Sequence, residues 1–132
     1  MGGLKFIDFF SGIGGFRQGM TRVGHKPVGW CEIDKYAQKS YRTLYDTEGE
    51  FFNDNVRTIK ASDLPEAEVY TVGFPCQSFS VAGRRGGLKD TRGTLVFEVL
   101  RLAKKRKPKY LFMENVRGLL SQDGGSAFAT IL

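Results

Sequence analysis

Apolar and polar positions along the chain switch repeatedly between a strand-like and a helix-like spacing. Leu4-Lys5-Phe6-Ile7-Asp8-Phe9-Phe10 is a largely apolar run that stops at Ser11-Gly12-Ile13-Gly14-Gly15, which predicts a buried strand entering a glycine turn. Phe16, Met20 and Val23 then recur at helical spacing up to Gly24, so the turn opens directly into a short helix. A second strand, from Pro27 to Ile33, carries the acidic residues Glu32 and Asp34 at its C-terminal end and precedes a helix built on Tyr36, Ser40, Tyr41 and Leu44. A shorter third strand around Phe51 and Phe52 runs into Asn53-Asp54-Asn55, and a fourth, Val69 to Phe74, runs into Pro75-Cys76-Gln77-Ser78. After a glycine- and arginine-rich loop over 83–92, a helix starts near Thr94 with apolar residues at Leu95, Val99, Leu102 and Ala103. The fifth strand, Tyr110 to Met113, meets Glu114-Asn115.

Strands that alternate with helices predict a doubly wound, mostly parallel α/β sheet with helices on both faces, because parallel neighbours need crossover connections. The 132 residues form one domain, 1–132, with no internal repeat. Ligands of such sheets sit outside the carboxyl ends of the strands. Glu32, Asp54, Cys76, Glu114 and Asn115 all fall at those ends.

Composition narrows the class. Hydrophobic residues at 41% and charged residues at 26% are ordinary for a soluble globular chain. No apolar run approaches a membrane span, and Lys5 and Asp8 interrupt the only early hydrophobic stretch, so a cytoplasmic address is expected. The net charge of +6 favours an anionic partner. Two cysteines and one histidine, without a metal-ligand spacing, exclude a disulfide framework and argue against a metal site.

Several residues are candidates for chemistry. The turn Gly12-Ile13-Gly14-Gly15 lets backbone N–H groups approach a ligand at a helix N-terminus, or serves only as a tight turn. Glu32 is placed to accept ribose hydroxyls, or is only a solvated acid at a strand end, and Asp54 is placed to read an adenine amino group or cap its own loop. Cys76 emerges where a strand ends, just after Pro75, as a candidate thiolate nucleophile, whereas Cys31, inside a strand, reads as a small buried hydrophobe. Glu114 is a candidate acid, and Asn115 either orients the local backbone or caps it. The loop Val81 to Arg92 combines glycines with four cations, suited to closing over phosphates. Lys104 to Lys107 with Lys109 read instead as the solvated end of a helix.

Asp8-Phe9-Phe10-Ser11-Gly12-Ile13-Gly14-Gly15-Phe16, Gly73-Phe74-Pro75-Cys76-Gln77, Thr91-Arg92-Gly93-Thr94-Leu95 and Glu114-Asn115-Val116, in that order, closely resemble the cytosine-C5 DNA methyltransferases of the bacterial restriction-modification type. The resemblance covers essentially the whole chain and implies a Rossmann-like S-adenosylmethionine-dependent methyltransferase fold. It implies that Phe10, Gly12, Gly14, Glu32, Ile33, Asp54, Gly73, Pro75 and Leu95 surround S-adenosylmethionine, with Phe10 and Ile33 sandwiching the adenine. It further implies that Cys76 adds to C6 of a cytosine flipped out of double-stranded DNA while Glu114 donates to N3. Ser80, Arg84, Arg85, Arg92 and Asn115 are then the candidate DNA contacts.

The family's later Gln-x-Arg-x-Arg segment, variable target-recognition region and final asparagine-bearing segment have no counterpart among these residues. The sequence therefore reads as truncated after the fifth strand. The corresponding expectation is a chain that is poorly stable, self-associates, or is completed by a second polypeptide supplying target recognition. Two alternatives stay open: a non-catalytic S-adenosylmethionine-binding subunit or remnant, and an enzyme acting on RNA cytosine.

Overall fold

A computed structural model describes residues 2–73 and 95–114. The chain runs β1 (Lys5–Phe9), α1 (Gly15–Arg22), β2 (Lys26–Cys31), α2 (Lys35–Leu44), β3 (Phe51–Asn53), two short 3-10 helices (Val56–Thr58 and Ala61–Asp63), β4 (Val69–Val72), α3 (Leu95–Arg106) and β5 (Tyr110–Met113). The five strands form one sheet in the order β3-β2-β1-β4-β5, with every neighbouring pair parallel. The chain winds outward from β1 to β3, returns to the other side of β1, and winds outward again through β4 and β5. The direction reverses between β1 and β4, where a crevice opens at the carboxyl ends of the strands.

Side-chain alternation along the strands supplies both faces of the sheet. On one face Ile7 and Phe9 of β1, Cys31 of β2, and Tyr70 and Val72 of β4 pack with Val96, Val99 and Leu102 of α3 and with Val56, Ile59 and Leu64 of the 3-10 segment. The intervening residues, Asp8, Trp30 and Thr71, are paired in register and point the other way, toward α1 and α2. There the Trp30 ring stacks on Tyr41 of α2 with centroids 4.3 Å apart. Helices therefore cover two faces, as the strand and helix alternation predicts.

The boundaries differ from the sequence pattern in instructive ways. β2 stops at Cys31, two residues short of Ile33, because the chain must turn to cap α2. The Asp34 carboxylate accepts the Tyr36 and Ala37 amides at 2.8 and 3.2 Å, and Glu32 Oε2 accepts the Asp34 amide at 2.9 Å. The acidic residues after β2 are thus a helix cap and its brace as well as candidate ligand contacts. The regular part of β4 ends at Val72, and Phe74 and Thr94 lie outside the described residues. In α3 it is Val96, with Val99 and Leu102, that is fully buried, whereas Leu95 and Ala103 are half-buried.

Among the described residues β5 is the outermost strand on its side, and Tyr110, Leu111 and Phe112 are 58%, 39% and 55% exposed. No helix among them is long and apolar enough to cross a membrane.

Candidate functional site

The turn after β1 is built from backbone conformations that most side chains avoid. Gly12 and Gly14 have φ of 56° and 92°, and Phe10 itself sits at φ 54°. A bulky residue held in the left-handed region marks a locally strained, over-determined segment. The constraint comes from β2. Gly12 donates its amide to Glu32 Oε1 at 2.8 Å, and Ser11 donates to the Cys31 carbonyl at 3.1 Å. Gly14 donates back to the Ser11 carbonyl at 2.9 Å, closing the turn at the N-cap of α1.

A cavity of about 300 Å³ lies between this turn and the ends of β2 and β3. Phe10, Ile33 and Leu95 give it apolar walls, Glu32 and Asp54 give it carboxylates, and the backbones of Gly12 and Gly73 border it. Sequence expectations placed all seven in one site. Each Glu32 oxygen accepts one backbone amide, and a carboxylate has lone pairs to spare. A flat heteroaromatic group between apolar walls, carrying hydroxyls toward Glu32 and an amino group toward Asp54, fits this donor and acceptor pattern. Gly14 does not line this cavity and packs instead against Tyr45.

Phe10 and Gly73 also border a larger, neighbouring cavity of about 660 Å³. Phe16, Met20, Val23 and Phe112 make it mostly apolar, and Ser11, His25 and Glu114 are its polar members. Phe16 meets Phe112 edge to face at 5.0 Å across it. Glu114 is exposed just past β5, where its amide donates to the Val72 carbonyl at 3.0 Å and so extends the sheet ladder to the site. The Ser11 hydroxyl is buried and has no hydrogen-bond partner among the described residues.

The sequence pattern did not reveal the polar layer behind the turn. Asp8, 1% exposed, accepts the Tyr41 hydroxyl and the Thr71 hydroxyl, both at 3.0 Å. Tyr41 in turn accepts from Arg17 at 3.3 Å, and Arg17 forms a two-pronged pair with Glu50 at 2.7 and 2.8 Å. Burial pushes the Asp8 carboxyl up to about 7, against the lowering effect of its hydrogen bonds and of Arg17. The one signal available was a charge inside an apolar strand, which must be paired if it is buried. Cys31 is buried as expected, its thiol pushed up to about 12 by burial and by the Glu32 and Asp54 carboxylates. That environment opposes a thiolate.

Pro75, Cys76, Ser80, Arg84, Arg85, Arg92 and Asn115 lie outside the described residues. Among the described residues no cluster of three or more His, Cys, Asp or Glu side chains is placed to hold a metal ion.

The family described as C-5 cytosine-specific DNA methylase matches residues 4–132. The chain is 39% identical over 129 residues to the type II methyltransferase M.HhaI of Haemophilus parahaemolyticus, covering 98% of this chain and 38% of that protein. It is 43% identical over 131 residues to the type II methyltransferase M.HpaII of Haemophilus parainfluenzae, covering 98% and 36%. It thus spans well under half the length of these relatives. The fold is shared with the Dnmt2 methyltransferase of S. pombe, at a TM-score of 0.70, 19% identity and coverage of 97% and 39%. It is likewise shared with the methyltransferase EhMeth of Entamoeba histolytica, at 0.72, 24%, and 99% and 42%.

Proposed function

The chain belongs to the C-5 cytosine-specific DNA methylase family, and from that premise we propose that it forms the cofactor-binding, nucleophile-bearing part of an enzyme that methylates C5 of cytosine in DNA. The observation that carries this reading is the convergence of Phe10, Ile33, Glu32 and Asp54 on one cavity at the carboxyl ends of β1, β2 and β3. Glu114 lies across the shared Phe10 and Gly73 boundary. S-adenosylmethionine suits that cavity, with Glu32 accepting the ribose hydroxyls, Asp54 the adenine amino group, and Phe10 and Ile33 on the two faces of the ring. When bound, it supplies an electrophilic methyl group on a sulfonium.

The remaining steps fall to this chain's own residues. Flipping brings the cytosine out of the stack into the crevice. The Cys76 thiolate forms a bond to C6, the ring electrons move toward C5, and Glu114 gives a proton to N3 to offset the developing charge. C5, now nucleophilic, takes the methyl group from the sulfonium, which leaves as a neutral thioether; loss of the C5 proton to solvent, return of the N3 proton to Glu114 and cleavage of the C6–sulfur bond restore the aromatic base and the cysteine thiolate. A thiolate suits the first step because it is a soft nucleophile and a good leaving group in the last. Pro75 and Gly73 border the same site in this reading, with Arg84, Arg85 and Arg92 contacting phosphates, and Ser80 and Asn115 near the base. DNA-sequence recognition is assigned to polypeptide outside these 132 residues, in the same chain or in a second one.

The test is a full reading frame containing this sequence, incubated with S-adenosylmethionine and duplex DNA carrying 5-fluorocytosine, which blocks loss of the C5 substituent. A covalent protein–DNA adduct that disappears in Cys76→Ser is expected. An undiminished adduct in the variant would remove Cys76 as the nucleophile, cofactor binding without any adduct would support a binding subunit instead, and an adduct formed only on the matching RNA would move the substrate to RNA.

A further inference from the structure

We propose that Tyr45 is a positioning residue for the glycine turn, holding from α2 the backbone that its own helix α1 leaves uncapped. This rests on the reading of that turn as part of the cofactor site. α1 starts at Gly15, and its N-cap residue, Gly14, has no side chain to cap it. Helix N-termini with neither a side-chain cap nor tertiary support fray readily. The support here comes from 31 residues away. Tyr45 directs its hydroxyl at both the Ile13 and Gly14 carbonyls, each at 3.1 Å, so that one O–H is shared between consecutive peptides of the turn. The Gly14 carbonyl also accepts the Gln18 amide at 2.9 Å, the first helical bond of α1. Tyr45 thus fixes the peptide that is both the end of the turn and the start of the helix.

The ring is fitted to the glycine. A Cβ at Gly14 would stand 2.8 Å from Tyr45 Cζ and 2.7 Å from its hydroxyl oxygen, closer than real Cβ contacts allow. Gly14 therefore serves two demands, a φ of 92° and the approach of this ring. The ring is held in turn. Tyr41, one turn earlier in α2, meets it edge to face at 5.0 Å, and the Arg17 guanidinium lies 5.0 Å from the Tyr45 centroid and 5.2 Å from that of Tyr41. Arg17 is fixed by Glu50 and by the Asp46 carbonyl at 3.0 Å. Glu32 holds the other end of the same turn through the Gly12 amide. The two tethers together preform the strained segment from Phe10 to Gly14, and a preformed site spares the ligand the ordering it would otherwise have to supply.

The experiment compares wild type, Tyr45→Phe and Tyr45→Leu in the full-length protein, with Arg42→Gln in the same helix as control. S-adenosylmethionine binding is measured by titration calorimetry, amide exchange over residues 11–16 by mass spectrometry, and melting by calorimetry. Tyr45→Phe keeps the ring, so it is expected to melt as wild type does, to exchange faster over residues 11–16, and to bind roughly three- to ten-fold more weakly, the loss of one net hydrogen bond. In turnover its KM for S-adenosylmethionine rises while kcat at saturation holds. Tyr45→Leu, which also loses the ring, is expected to exceed both changes. Exchange and affinity in Tyr45→Phe equal to those of wild type would overturn the proposal. Wild-type protein that fails to bind S-adenosylmethionine would instead overturn the functional reading, and the exchange comparison would still decide whether Tyr45 holds the turn.

Discussion

Glu32 Oε1 accepts the Gly12 amide at 2.8 Å, so the carboxylate at the end of β2 is a strut for the glycine turn after β1 as well as a wall of the smaller cavity. Its other oxygen braces Asp34 at the cap of α2. Hydrogen bonds to a charged acceptor contribute about 1.5–3 kcal/mol. Glu32→Ala is therefore expected to weaken S-adenosylmethionine binding by more than tenfold and to lower the melting temperature together. Glu32→Gln, which keeps one acceptor for Gly12, should lose less of both. Titration calorimetry with thermal melting separates the two; equal affinity of Glu32→Ala and wild type would exclude the ligand contact, and an equal melting temperature would exclude the strut.

Asp8 gives a pH dependence whose sign is fixed by its environment. Its carboxyl is pushed from the ordinary 3.8 up to about 7, chiefly by burial, with Tyr41, Thr71, Arg17 and Glu32 as its surroundings. The folded chain thus holds the proton more tightly than the unfolded chain. Between about pH 4 and pH 7 the folded state binds more protons, and the Asp8 contribution to stability falls as pH rises, by on the order of 4 kcal/mol at most, then levels off. Asp8→Asn has no such dependence. Denaturant unfolding of both proteins from pH 4 to 8 should show wild-type stability declining relative to the variant; parallel curves would refute the assignment.

Leu102 of α3 is fully buried in the cluster that joins α3 to β1 and β4. Leu102→Ala should cost roughly 3 kcal/mol through lost burial and the void left behind. Leu100, half-buried on the same helix, should cost less when truncated. Chemical denaturation of the two variants reads the difference directly.

Tyr110, Leu111 and Phe112 lie exposed on the outermost strand of the described sheet, beside the apolar walls of the larger cavity. Exposed apolar strands at a sheet edge promote association. Sedimentation of the 132-residue chain should show concentration-dependent self-association that Phe112→Lys reduces. A monodisperse monomer at all concentrations, unaffected by the substitution, would contradict this.

Much of the fold was legible because its signals are local. The bounds of β5 match the apolar run Tyr110 to Met113, and β1, Lys5 to Phe9, lies within the run Leu4 to Phe10. Phe10, Gly12, Glu32, Ile33, Asp54, Gly73 and Leu95, which the family resemblance groups together, stand at strand ends or the start of α3, and the parallel sheet brings those ends around one cavity. Asp8, Arg17 and Tyr45 were not legible. Asp8 looked only like an interruption of an apolar strand, and its partners Tyr41 and Thr71 are 33 and 63 residues away. Tyr45 falls just past the last periodic residue of α2, where nothing local distinguishes it from a solvated helix end.

The sequence by itself determined the succession of strands and helices, the glycine turn and which polar residues fall at the strand ends, because spacing, backbone freedom and residue type act over a few neighbours. Only the tertiary structure decided that Glu32 meets Gly12, that Tyr45 meets Gly14, and that the Asp8 carboxyl lies buried under Tyr41 and Thr71. Those meetings follow from the strand order β3-β2-β1-β4-β5. That order depends on which apolar faces cover one another best over the whole chain, and no local pattern encodes it.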